Sequence, residues 1–143
     1  MSCRRESGYT LIEILVVTTV IAIIMASVLP AFLIAKKQAN ESAAIASLRS
    51  VSRAQLQHRT RYGSFTDIAG LESTSLLDES YQDGEKIGYQ FASTEAPSPA
   101  TWSATATPIT PTVTGDRYFF IDESGVIRYR EGSPAGESDS AIE

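Results

Sequence analysis

The sequence predicts an α+β fold: one long N-terminal helix, its first half membrane-spanning, packed on a small antiparallel β-sheet of three or four strands. Three observations predict it. An apolar run opens the chain and passes, with no glycine and a single proline, into an amphipathic stretch ending at Tyr62. Beyond Gly63 the pattern shortens into runs rich in aromatic and β-branched residues. Those runs are separated by glycine and proline breakers, as strands of a sheet are.

Residues 8–30 read GYTLIEILVVTTVIAIIMASVLP, and from Ile14 to Ala35 the chain carries no charge. At about 1.5 Å per residue this stretch spans roughly 33 Å as a helix, enough to cross a hydrocarbon core of about 30 Å. Residues 36–62 continue it. Ala44, Ile45, Leu48, Val51, Leu56 and Tyr62 recur at steps near three or four, while Arg49, Arg53, Arg59 and Arg61 fall largely off that stripe. Gly63 supplies a left-handed cap, and the arginines of the last turn suit the negative end of the helix dipole. Pro30 removes the bond to the Ala26 carbonyl and crowds it, which predicts a kink or a weak turn.

From Gly63 to residue 130 the chain predicts a globular head. Residues 64–77 read as a loop with a short helical turn. Strands are expected at Ile87–Ser93, Thr101–Ala106, Tyr118–Ile121 and Val126–Arg130. Asp83-Gly84, the prolines at 97, 99, 108 and 111, and Gly115-Asp116 break between them. Asp122-Glu123-Ser124-Gly125 reads as a hairpin turn. Residues 131–143, EGSPAGESDSAIE, have little apolar content and predict a flexible acidic tail.

Composition excludes several function classes. The net charge is −5, and −6 without residues 1–8, which argues against a broad nucleic-acid surface. The single cysteine, Cys3, precedes the apolar run, so the rest of the chain has neither a disulfide nor a cysteine metal site. His58, the one histidine, stands among arginines and reads as a solvated helix residue. No nucleophile elbow, phosphate-binding glycine loop or histidine metal spacing occurs, so no catalytic residue, metal site or cofactor is expected. Glu72, Asp78, Glu79, Asp83 and Glu85 do not follow an EF-hand spacing and read as a solvated acidic face. Asn40-Glu41-Ser42 matches a glycosylation triplet but lies mid-helix.

Glu13 is the anomaly. An acid near the apolar segment costs roughly 2.5–3.5 kcal/mol at a helix centre and less toward the interface. A secretory signal core would be shorter, lack the acid and be followed by a small-residue cleavage site. A plain anchor explains neither Gly8 nor Glu13. Cleavage after Gly8 would create an amino terminus on Tyr9, four residues from Glu13 and on the same helix face. That acid could pair with its own subunit's amine or with a neighbour's.

In order, the leader MSCRRESG, then G-Y-T-L-I-E, the apolar helix and Pro30 resemble the N-terminal segment of the type IV pilin-like proteins. The resemblance covers about the first 30 residues. It implies a prepilin leader, 1–8, removed by a prepilin peptidase/methyltransferase between Gly8 and Tyr9, with N-methylation of Tyr9. Tyr9 departs mildly from the family's usual phenylalanine. Residues 9–35 would form the transmembrane and polymerisation half of the helix, with Glu13 and Pro30 acting in assembly. The stretch Ala22–Pro30 would lose helical structure inside a filament.

The implied function is a structural subunit of a type IV pilus-like filament, serving adhesion, motility or DNA uptake. Its partners would be copies of itself in a helical homopolymer, other pilins, the inner-membrane assembly platform and, before assembly, membrane lipid. The implied location is the bacterial inner membrane, then an extracellular pilus or a periplasmic pseudopilus. A pseudopilin of a type II secretion system is the alternative. The R-Y-G-S-F step loosely parallels pseudopilins, whereas their D-P-W-G-like segment is not found. A single-span membrane-anchored enzyme or sensor is the second class, and the missing catalytic constellation argues against it.

Overall fold

A computed structural model describes residues 8–78, 81, 84–93 and 98–142. The leader up to residue 7, with Cys3, and the expected breakers and acids at 79, 83 and 97 lie outside the described residues. Helix α1, Leu11–Tyr62, is assigned without interruption through Pro30. The chain divides after Ala35 into two units, each described by itself.

In the first unit every large apolar side chain from Leu11 to Ile34 is at least half exposed. That surface is expensive in water, at about 25 cal/mol per Å² of apolar area. The second unit is a head with its own core. Residues 36–62 of α1 supply Ala44, Leu48, Val51 and Ala54 to it. The helix ends at Gly63, with φ +78° and its N–H donating to the Arg59 carbonyl at 2.9 Å, as the sequence predicts. Helix α2, Ile68–Ser73, follows, capped by the Asp67 carboxylate accepting from the Gly70 N–H.

The sheet is an antiparallel meander of six strands in chain order: β1 Glu85–Lys86, β2 Tyr89–Ser93, β3 Ser103–Pro108, β4 Arg117–Asp122, β5 Ile127–Glu131 and β6 Ser140–Ala141. The four longer strands correspond to the expected ones. The two additional strands, two residues each, are too short to leave a periodic signal. The first expected strand is cut at its start because Ile87-Gly88 forms the turn between β1 and β2. Register aligns Phe91 with Ala106, Ala106 with Phe119 and Phe119 with Tyr129, so alternate residues of neighbouring strands share a face. Phe91, Ala106 and Phe119 belong to the same buried cluster as the helix residues.

The flexible acidic tail is corrected. Residues 132–142 fold back along β5: β6 pairs with it, the Ile142 N–H donates to the Ile127 carbonyl at 2.8 Å, and Ile142 packs against the core. Asp139 holds the return, its carboxylate accepting from Arg130 Nη2 at 2.6 Å and from the Gly136 N–H at 2.8 Å. These bonds set its carboxyl below the ordinary range, the Gly136 N–H contributing most and Arg130 next. A composition-based reading counts apolar residues and misses a segment held by specific polar contacts.

Candidate functional site

The processing and assembly residues predicted from sequence lie at the start of the first unit. Gly8 and Tyr9 precede α1, and Tyr9 is 81% exposed. A Cβ on Gly8 would meet nothing within 4 Å. The local fold therefore sets no demand for glycine there.

Glu13 sits in the first turn of α1, where a negative charge suits the helix dipole. It is also engaged locally. The Glu13 N–H donates to Thr10 Oγ1 at 3.3 Å, and the Thr10 N–H reaches Glu13 Oε2 at 3.5 Å. This reciprocal T-x-x-E pairing is a capping box, with the return bond long. Sequence reasoning missed it, although Thr10 and Glu13 stand at the spacing that signals one. In this chain the acid thus closes the helix end.

The rest of this unit is prepared for an apolar environment. Thr18 Oγ1 donates to the Ile14 carbonyl at 3.0 Å, Thr19 Oγ1 to the Leu15 carbonyl at 2.7 Å, and Ser27 Oγ to the Ile23 carbonyl at 3.5 Å. The hydroxyls are satisfied by their own helix and leave the outer surface apolar. This half of α1 is long and apolar enough to cross a membrane.

In the head, polar groups tie α1 to the loops. Glu41, 6% exposed, accepts from the Asp116 N–H at 2.9 Å, the Arg117 N–H at 3.3 Å and Arg117 Nε at 2.7 Å. Asn40 Nδ2 donates to the Thr114 carbonyl at 2.9 Å, and Lys37 Nζ pairs with Asp116 at 3.0 Å. Asn40 is therefore occupied and buried within the glycosylation-like triplet. Gln55 exchanges two hydrogen bonds with the backbone of Thr66. His58 corrects the solvated reading: it is buried, and its Nδ1–H donates to the Ser64 carbonyl at 2.7 Å. Leu56 and Tyr62, assigned to the apolar stripe, are instead more than half exposed. The buried face runs through Asn40, Glu41, Ala44, Ser47, Leu48, Val51, Ala54, Gln55 and His58. It keeps the helical period but carries polar residues that a hydropathy pattern discounts.

An open groove of about 400 Å³ lies between α2 and β2. Its Asp67 caps α2, and Ser93 Oγ accepts from the Ile68 N–H at 3.2 Å, so both serve the fold. Tyr89, the first residue of β2, donates to the Arg117 carbonyl at 2.9 Å, and burial pushes its phenol well above the ordinary tyrosine range. Among the described residues no cluster of His, Cys, Asp and Glu is arranged to hold a metal.

Two comparisons bear on the N-terminal segment and on half of the chain. A family model described as the prokaryotic N-terminal methylation motif matches residues 3–29, the segment holding Gly8, Tyr9 and Glu13. That segment therefore carries the N-terminal methylation motif of prokaryotic type IV prepilins. It is 36% identical over 77 residues to the type IV wide pilus major component PilA4 of Thermus thermophilus, a match covering 50% of this chain and 59% of that protein. The chain thus spans little more than half the length of the pilin it matches.

Proposed function

We propose that this pilin-like protein is cut between Gly8 and Tyr9 by a prepilin peptidase, methylated on Tyr9, and polymerised through residues 9–35 into a pilus. Before assembly it is a single-span protein of the inner membrane; afterwards it is an extracellular filament subunit working with the assembly platform. The observation that carries the reading is the first half of α1, apolar on every side and bearing one acid at its end. Its surface requires lipid or other helices for burial, and cleavage after Gly8 would place a new amine within reach of Glu13. Stranding one member of a buried ion pair costs roughly 3–5 kcal/mol, so pairing with a neighbour's amine would also fix register between subunits. Similarity to a wide pilus component favours a pilus over a secretion pseudopilus.

N-terminal sequencing of the mature protein tests the reading. It should begin at a Tyr9 heavier by one methylene. Gly8→Val should leave uncut precursor in the membrane, and because nothing in this chain contacts that position the fold itself should be undisturbed. A mature terminus elsewhere would refute the assignment.

A further inference from the structure

Among the described residues of the head, Leu56, Tyr62, Ile87, Ile109, Val113 and Val126 are large apolar side chains left exposed. Three of them, Ile87, Ile109 and Val113, gather on two loops that meet at one end. The Ile109 N–H donates to the Gly88 carbonyl at 3.0 Å. A Cβ on Gly88 would lie 3.1 Å from both Asn40 Nδ2 and Thr114 Cβ. Asn40 itself holds the Thr114 carbonyl, and Lys37 holds Asp116. This is the end at which α1 enters the head. The β4–β5 turn lies elsewhere along the helix, with Gly125 against Ser52.

Ile87 is also strained. Its φ is +49°, in the left-handed region that β-branched residues avoid and that a two-residue hairpin turn fills best with asparagine. The fold gains nothing from an isoleucine there, and its side chain is 53% exposed. Such a residue points to a contact outside the head.

Chain connectivity says what that contact is. The uncharged run ends at Ala35 and is followed at once by Lys36 and Lys37, whose stems suit a membrane interface. Asn40 comes about 6 Å further along the helix, within the roughly 5–8 Å headgroup layer outside the hydrocarbon core. We propose that Ile87, Ile109 and Val113 form a lipid-facing rim that beds this end of the head in the phospholipid headgroup layer before assembly. The proposal rests on the reading of residues 9–35 as a membrane span.

The test uses the full chain with Cys3→Ser, which leaves an introduced cysteine unique. Bimane is attached at Val113→Cys, at Ile87→Cys or, as a control, at Glu123→Cys in the β4–β5 turn. The protein is reconstituted at low density in vesicles of phosphatidylethanolamine and phosphatidylglycerol carrying a headgroup spin label. Quenching should be about twofold or more stronger at 113 and 87 than at 123. Ile87→Asn suits the turn, so it should hold or raise the melting temperature while lowering quenching at 113. Equal quenching at 113 and 123, in protein that floats with the vesicles, overturns the rim alone. So does shielding of 113 that appears only at high protein-to-lipid ratio, which would assign the patch to a second copy. A chain that fails to float overturns the span and the rim together.

Discussion

The two halves of α1 meet the cost of burial in different ways. Up to Ala35 the helix exposes apolar side chains on every side and keeps its few hydroxyls bonded to its own backbone. From Lys36 the same helix buries one face in which leucine and valine alternate with Asn40, Glu41, Gln55 and His58, all four bonded to loop backbone that the head supplies. The first half leaves its burial to other molecules; the second completes it within the chain. A charge is informative in both, for opposite reasons. Glu41 has its partners in the head, whereas among the described residues Glu13 meets the Thr10 cap and holds a position from which it could meet an amine.

The largest effect that would break this contrast is expected at Glu13. Glu13→Val removes a carboxylate that is costly in lipid, so membrane levels should hold or rise. Surface filaments, counted by electron microscopy, should fall to few or none, because in the filament proposed above the amine of Tyr9 would be buried without its partner, at a cost of roughly 3–5 kcal/mol. Glu13→Gln, which still accepts a hydrogen bond, should be milder. Filaments at wild-type number in the valine variant would reassign the apolar half to plain anchoring.

Glu41→Leu makes the matching change in the second half. It strands Arg117, which is partly exposed, and the backbone N–H groups of Asp116 and Arg117, so urea denaturation should show a loss of about 3 kcal/mol. Insertion in the membrane should be unchanged. Smaller again is Gly115→Ala. A Cβ there would lie 2.0 Å from Tyr89 Oη, a buried side chain with no room to withdraw, and overpacking of this kind costs about 1–3 kcal/mol.

The smallest effect concerns the returning C-terminal segment. Because Asp139 titrates lower in the folded head than in the unfolded chain, its contribution is present above the ordinary carboxylate range and is lost as pH falls through its folded value. Asp139→Asn should therefore lower the urea midpoint at neutral pH, and the gap to wild type should close in acid. A gap independent of pH would mean that the segment is held by β6 pairing and Ile142 alone.

Much of the fold was legible in the sequence because it is local. The unbroken run to Tyr62, the glycine after it, and the four runs of strand-forming residues each carry their own signal. The N-terminal motif around Gly8, Tyr9 and Glu13 was legible as a segment, 3–29, and the roles of those three residues are proposals. What escaped is non-local. Gln55 and His58 look solvated until residues 64–66 fold back onto them, and Glu41 looks like any helix acid until Asp116 and Arg117 arrive from more than seventy residues away. Residues 132–142 were misread for the same reason, since Asp139 finds its partners in Arg130 and the Gly136 N–H rather than in a periodic pattern.

The contrast is tested most directly by removing residues 1–33 and measuring sedimentation together with thermal unfolding by circular dichroism. The account predicts a soluble monomer, with helix and strand signals lost in one cooperative transition, because the polar and apolar faces of residues 36–62 find their partners inside the head. A truncated protein that aggregates, or that melts without cooperativity, would show that the head depends on the apolar half and would contradict the division drawn between them.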